Sequence, residues 1–315
     1  MAEERQAENG VRGRPLALID APSNLGLRPP ADGASPGVYK QAGALRDHGL
    51  LAGLHAHDGG VVVAPRYIGV WQPGDGVRNE EAVERYSSRL ADRIERLLDD
   101  GFFPVVLGGD CSVLIGNQLA LRRRGRFGLA FIDGHSDFRH LGNSEFVGSA
   151  AGEDLAIVTG RGEALAAIEG RAPLVRDEDV VVLGVRDHDL FLDEIRTAGI
   201  WVATAGDIAR AGPATVATGA LARLRSPELE GFWIHCDFDV LDSTVMPAVD
   251  TPEPGGIDFD TLVELLVPLL ADDRAAGIEF TIFDPDLDED GELAAKLTGS
   301  LRRAFASATA IASPR

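Results

Sequence analysis

Phe127-Gly-Leu-Ala-Phe-Ile-Asp-Gly-His-Ser-Asp137 decides the fold. The run 127–132 is apolar without alternation, which is the pattern of a strand buried on both faces of a parallel sheet. Asp133, His135 and Asp137 follow at every second position. A second segment repeats the design, with Gly231-Phe-Trp-Ile234 leading through His235 and Cys236 into Asp237-Phe-Asp239. Acidic side chains at the mouth of a buried strand are costly unless something neutralises them. Carboxylates with imidazole and no thiolate cluster suit a hard or borderline divalent cation such as Mn²⁺. Alternate residues of an extended chain share a face, so Asp133, His135 and Asp137 are expected to converge, as are Asp237 and Asp239. The competing reading of each segment is a helix N-cap or a solvated loop. Two such segments on two strand ends favour a pair of metal ions.

Outward from these strands, apolar runs alternate with helical patterns almost to the end of the chain. Strands are expected at 16–19, 61–64, 103–107, 180–185, 200–203 and 278–283, in addition to those ending at Asp133 and Asp237. A long amphipathic helix is expected from Asn79, as N-cap, to about Asp100, with Glu80 and Glu81 in its first turn. Further helices are expected from Ser112 and around 190–197, 213–224, 258–271 and 292–307. Buried strands alternating with helices give the α/β class, here a single three-layer α/β/α domain around a parallel sheet. In open sheets of this kind ligands bind at the carboxyl ends of the strands, where both acidic segments fall. Residues 1–14 are polar and are read as a disordered tail, and 15–315 as one domain.

The chain has 315 residues, is 45% apolar and 25% charged, and carries a net charge of −20. That composition is ordinary for a globular protein with a sizeable core. The negative field argues against nucleic acid and against an anionic membrane surface. Cys111 and Cys236 are the only cysteines, so at most one disulfide is available, which together with the absence of an apolar leader in the first residues suits the cytoplasm. Asp286-Leu-Asp-Glu-Asp-Gly291 begins like a calcium loop, but its twelfth position is Leu297, and it reads as an acidic connection into the last helix.

Several ordered segments resemble the arginase, agmatinase and formiminoglutamase group, the ureohydrolases. Ala21-Pro-Ser-Asn-Leu-Gly26 resembles the group's opening loop, and Leu107-Gly-Gly-Asp-Cys-Ser112 its Gly-Gly-Asp-His-Ser motif. Asp133-Gly-His-Ser-Asp137 is similar to Asp-Ala-His-x-Asp, and Asp237-Phe-Asp-Val-Leu-Asp242 to Asp-x-Asp-x-x-Asp-Pro. Met246-Pro-Ala-Val-Asp-Thr-Pro252, Pro254-Gly-Gly256 and Gly184-Val-Arg-Asp-His-Asp189 complete the series. The resemblance implies a sheet of about eight strands. It also implies two Mn²⁺ ions whose bridging hydroxide attacks a planar guanidinium or amidine carbon of a small-molecule substrate. It further implies that Asp133 and Asp237 bridge the ions, that His135 and Asp239 complete one ion's site, and that Asp137 binds the other ion and the hydroxide. Asp189 then meets a substrate α-amino group, Thr251 lies near the pocket wall, and Arg139 joins the substrate-binding group. A homo-oligomer, trimer or hexamer, is implied by resemblance only.

Three positions depart from the pattern. The group's first metal-ligating His is Cys111 here. It is open whether Cys111 is a thiolate ligand that shifts preference toward Zn²⁺ or Fe²⁺, a small buried apolar residue, or a covalent nucleophile. One metal ion instead of two is part of that alternative. The Glu that pairs with a guanidinium substrate is Ile282, and Glu279, an odd number of residues away, is expected to face elsewhere. The loss removes a charge-assisted hydrogen bond of roughly 1.5–3 kcal/mol. The proton-shuttle His is absent from Ser149-Ala-Ala-Gly152, leaving His140 as a stand-in if its loop folds inward, or else as an exposed residue. His235, where relatives carry Ser, shares a strand face with Asp237 and Asp239, and reads as a ligand, a ligand's partner, an acid–base group or a buried hydrogen-bonded imidazole. The expected function is a metal-dependent hydrolase of a non-peptide C–N bond whose amino-acid-like substrate is not ordinary arginine. The alternative is a catalytically silent relative kept as a structural or regulatory subunit.

Overall fold

The computed structural model of the protein describes residues 10–312, except 12 and 163. Eight strands form one sheet in the order β2-β1-β3-β8-β7-β4-β5-β6, all pairs parallel. They are β1 Leu16–Asp20, β2 His57–Val61, β3 Phe103–Leu107, β4 Phe127–Ile132, β5 Val180–Leu183, β6 Trp201–Ala203, β7 Gly231–Asp237 and β8 Ala275–Thr281. The central strands β3, β4, β5, β7 and β8 are buried almost throughout, as their unbroken apolar character requires. The alternate faces of these strands bury two separate apolar clusters. One lies under the helices Pro213–Leu224, Phe259–Leu270 and Glu292–Ala312, the other under Glu80–Asp99, Val113–Arg124 and Asp154–Val158. The result is the expected three-layer α/β/α domain.

Element boundaries differ from expectation where local chemistry overrides pattern. β2 precedes the apolar run at 61–64, because Asp58-Gly59-Gly60 lets the edge strand bulge against Ile19, while Val61 and Val63 stay exposed. Asn79 holds the N-cap position of the long helix, and its carbonyl accepts from Val83 N at 2.8 Å, but its side chain makes no capping bond. It adopts φ 53°, and its amide bridges two loops instead, accepting from Ile68 N at 2.9 Å and donating to Leu25 O at 2.9 Å. Of the segment expected to be a disordered tail, residues 1–9 and 12 lie outside those described. Val11 is fully buried, and the Arg14 guanidinium lies 5.1 Å over the Phe103 ring, so these two belong to the packed body. The acidic stretch at 286–291 is a connection, in which Asp288 accepts from Leu293 N at 3.1 Å and Ala294 N at 2.8 Å at the start of the last helix.

Candidate metal centre

β4 and β7 are direct neighbours, with Phe131 paired to His235 and Ile132 to Cys236. Their carboxyl ends therefore deliver both acidic segments to one spot. Convergence does not come from continued extension, however. Each strand stops at or just before its first aspartate, and that side chain folds back on its own backbone. Asp133 Oδ1 accepts from His135 N at 2.6 Å, and Asp237 Oδ1 accepts from Asp239 N at 2.7 Å. These aspartate turns leave one oxygen of each carboxylate facing inward. Asp137 follows in the left-handed region at φ 43°.

Two trios of potential ligands result, each with donor atoms within 4.8 Å of one another: Asp133, His135 and Asp239, and Cys111, His235 and Asp237. In the first, His135 Nδ1 lies 2.8 Å from Asp239 Oδ2. In the second, Cys111 Sγ is 2.6 Å from Asp237 Oδ2. Cys111 reaches this point from the loop after β3, whose Gly109 passes so close to Ser23 that an added Cβ would sit 1.8 Å from the Ser23 carbonyl oxygen. Asp137 belongs to neither trio but lines the same cleft. Both cysteines are free and buried.

Sequence reasoning missed several members of this centre. Glu279 does stay out of the cleft, as expected, yet the β7–β8 register sets it beside His235, and Glu279 Oε1 lies 2.8 Å from His235 Nδ1. Asn117 donates to the other Glu279 oxygen. Asp154 is fully buried, with neither carboxylate oxygen hydrogen-bonded. Arg186, also buried, donates to the carbonyls of Asp239 at 2.8 Å, Leu241 at 3.0 Å and Glu253 at 2.9 Å, and so holds the turn that carries Asp239. The register of two apolar strands was the available signal for Glu279; nothing local in sequence marks Asp154.

Asp133, Asp154, Asp237, Asp239 and Glu279 are all buried, against few cations. Burial pushes Asp133, Asp154 and Asp237 well above the usual carboxylate range, and mutual repulsion adds to this. Burial lifts Asp137 to about 7, moderated by His135. The carboxylate of Asp239 raises His135 to about 11. Burial alone would depress His235, but the Glu279 carboxylate prevails and lifts it to about 9. Carboxyl groups gathered out of water in this way are stable only when protonated or when met by cations. Asp133 Oδ2, His135 Nε2 and His235 Nε2 are buried without hydrogen-bond partners, as atoms reserved for such cations would be. The donor set fits divalent metal at both trios.

Above the centre lies a cleft of about 540 Å³, lined by Cys111, His135, Asp137, Arg139, Asp189, Asp250, Thr251, Glu253 and Ile282 among others. Ile282 is buried at φ 73°, an uncommon backbone for a β-branched residue, and its N–H donates to Gly109 O at 2.7 Å. Asp189 lines the wall, but both of its oxygens accept backbone bonds, from Ser136 N at 3.0 Å and Phe191 N at 2.8 Å. Arg139 lies between this cleft and a neighbouring cavity, with Nε donating to Gly152 O at 3.2 Å. Thr251 Oγ1 meets Asp250 at 3.3 Å. His140 does not fold inward: it lines only the neighbouring cavity, held 3.0 Å from Glu194 Oε1. Ala151 stands in the cleft wall, and the exposed His188, also unforeseen, is at its rim.

The family model described as "Arginase family" matches residues 6–306. The arginase of Bacillus caldovelox is 31% identical over 302 residues, covering 91% of this chain and 98% of that protein. A solved structure of the Bacillus caldovelox arginase superposes with a TM-score of 0.83 at 28% identity, over 93% of this chain and 98% of that one. The formimidoylglutamase of Bacillus subtilis shares the fold, with a TM-score of 0.73 at 19% identity over 94% of this chain and 88% of that one. The parallel sheet, the two aspartate turns at its carboxyl edge and a match over nearly the whole chain agree: this protein belongs to the arginase family.

Proposed function

We propose that this chain is a metal-dependent hydrolase of a non-peptide C–N bond, acting on an amino-acid-like substrate other than ordinary arginine. The observation that carries the reading is the pair of donor trios at the adjoining ends of β4 and β7, on the floor of a 540 Å³ cleft. Bound divalent cations supply Lewis acidity and a nucleophile from water at neutral pH. Asp133 and Asp237 would be shared between the two ions, His135 and Asp239 would hold the outer one, and Asp137, which lines the cleft, would accept a proton from water there. The buried walls exclude bulk solvent, which strengthens each of these interactions. Thr251 and Arg139 border the substrate volume, and Asp189 stiffens the loop beside it.

Substrate choice rests on Ile282. It presents an apolar side chain to the cleft where guanidine-hydrolysing relatives present Glu, so a guanidinium group finds no carboxylate there. A neutral amide group, or a cationic group bound in another orientation, meets no such penalty. The test is a screen for urea and ammonia release by metal-loaded protein over guanidino, formimino and amide compounds. We expect turnover of a non-arginine compound with arginine far slower. Efficient arginine hydrolysis overturns the substrate assignment, and no turnover across the screen by fully metal-loaded protein favours the catalytically silent alternative.

A further inference from the structure

The inner trio differs in kind from the outer one, and the difference specifies a metal. Asp133, His135 and Asp239 offer oxygen and nitrogen donors only. Cys111, His235 and Asp237 offer sulfur, nitrogen and oxygen. Soft thiolate with imidazole selects zinc over manganese. His235 is wholly buried, stacked on Phe131 with ring centroids 4.6 Å apart, and its Nδ1 lies 2.8 Å from Glu279 Oε1. Asn117 in turn donates to Glu279. A carboxylate on one imidazole nitrogen fixes the tautomer and aims the other nitrogen's lone pair. That other nitrogen, Nε2, faces Asp133 Oδ2 at 3.6 Å, and neither atom has a hydrogen-bond partner. Two buried, unpartnered atoms held face to face and dry need a proton or a metal cation between them.

Resting on the metal-dependent reading above, we propose that the inner position is a zinc site built from Cys111 Sγ, His235 Nε2, Asp237 and a shared Asp133 carboxylate, with Glu279 as the positioning residue. The centre is then chemically unequal: zinc inside, and a harder ion such as manganese outside. Four donors of mixed sulfur, nitrogen and oxygen type match the number and kind that zinc takes in tetrahedral sites.

The experiment uses the full chain, stripped with chelator and reloaded with Mn²⁺, Zn²⁺ or Co²⁺, with metal content measured by elemental analysis. We expect one tightly held zinc per chain that excess manganese does not displace, and a second position that manganese fills. Cobalt at the inner position gives a thiolate-to-metal charge-transfer band in the near ultraviolet. That band is absent in Cys111→Ser. Glu279→Gln keeps it but lowers cobalt and zinc affinity roughly 10–100-fold. Cys111→His, which retains a donor if the serine variant fails to fold, is expected to lose the band and shift preference toward manganese. Two equivalents of manganese with no zinc preference and no cobalt–thiolate band overturn the zinc assignment while leaving the metal-dependent reading intact. Binding of no metal of any kind removes both.

Discussion

Replacing Arg186 by Met isolates the support beneath Asp239 without touching a metal donor. The guanidinium is buried and joins the carbonyls of Asp239, Val240, Leu241 and Glu253 at 2.8–3.3 Å. Val240 O also accepts from Ile257 N at 3.0 Å, and Glu253 O from Ser243 N at 3.1 Å, so the greater loss falls on Asp239 and Leu241. Each charge-assisted bond contributes roughly 1.5–3 kcal/mol, giving a gross loss of about 3–6 kcal/mol. Deleting the buried cation also removes its desolvation cost, so the net destabilisation is about 2–4 kcal/mol. For a chain of this length a loss of 1 kcal/mol lowers Tm by about 1.5 °C, so the expected decrease is about 3–6 °C. Thermal unfolding followed by tryptophan fluorescence in chelator keeps bound metal from obscuring the change. His135 foremost, with a smaller share from Arg186, holds Asp239 below its usual carboxylate range, so loosening this turn should also lower metal affinity at the outer position. A variant that melts within 1 °C of the parent and binds metal equally well refutes the idea that Arg186 holds this turn.

Three further outcomes are expected. Gly109→Ala should abolish stable folding or the inner metal position, since the new Cβ lies 1.8 Å from the Ser23 carbonyl oxygen; a soluble variant of unchanged metal content contradicts the close approach. Metal-free protein should lose stability as pH rises. Asp137 has a folded pKa of about 7, above its unfolded value, so its contribution is present below the ordinary carboxylate range and disappears as pH climbs toward 7. His135, raised to about 11, acts in the same sense above its ordinary value. In chelator, Tm at pH 6 should therefore exceed Tm at pH 8, and a higher Tm at pH 8 would show that these groups are not the controlling ones. Ile282→Glu should tighten binding of guanidinium compounds roughly 10–150-fold, from about 1.5–3 kcal/mol of charge-assisted bonding, as measured by calorimetry. Unchanged guanidinium affinity would separate Ile282 from substrate choice.

Much of this architecture is legible in the chain because parallel strands buried on both faces leave unbroken apolar runs, and the acidic ends of β4 and β7 stand out against them. Asp133, His135, Asp237 and Asp239 were accessible for that reason. The means of their convergence was not, because alternation describes an extended strand, whereas the chain turns at Asp133 and Asp237 with the aspartates bonding to their own backbone. Glu279 was placed away from the cleft correctly, but its contact with His235 depends on the register between β7 and β8, which no local pattern fixes. His140 was a candidate by proximity in sequence alone, and its bond to Glu194 turns it aside. Asp154 and Arg186 act through burial, a property of the assembled layers.

Two donor trios at the carboxyl ends of β4 and β7 predict two bound metal ions in this arginase-family chain. Metal stoichiometry of the purified protein, by elemental analysis after supplementation with both manganese and zinc, tests this claim most directly. We expect two equivalents of divalent metal per chain, falling to one or fewer in Asp133→Asn, whose carboxylate faces both trios. A parent protein that retains no metal after supplementation contradicts the claim.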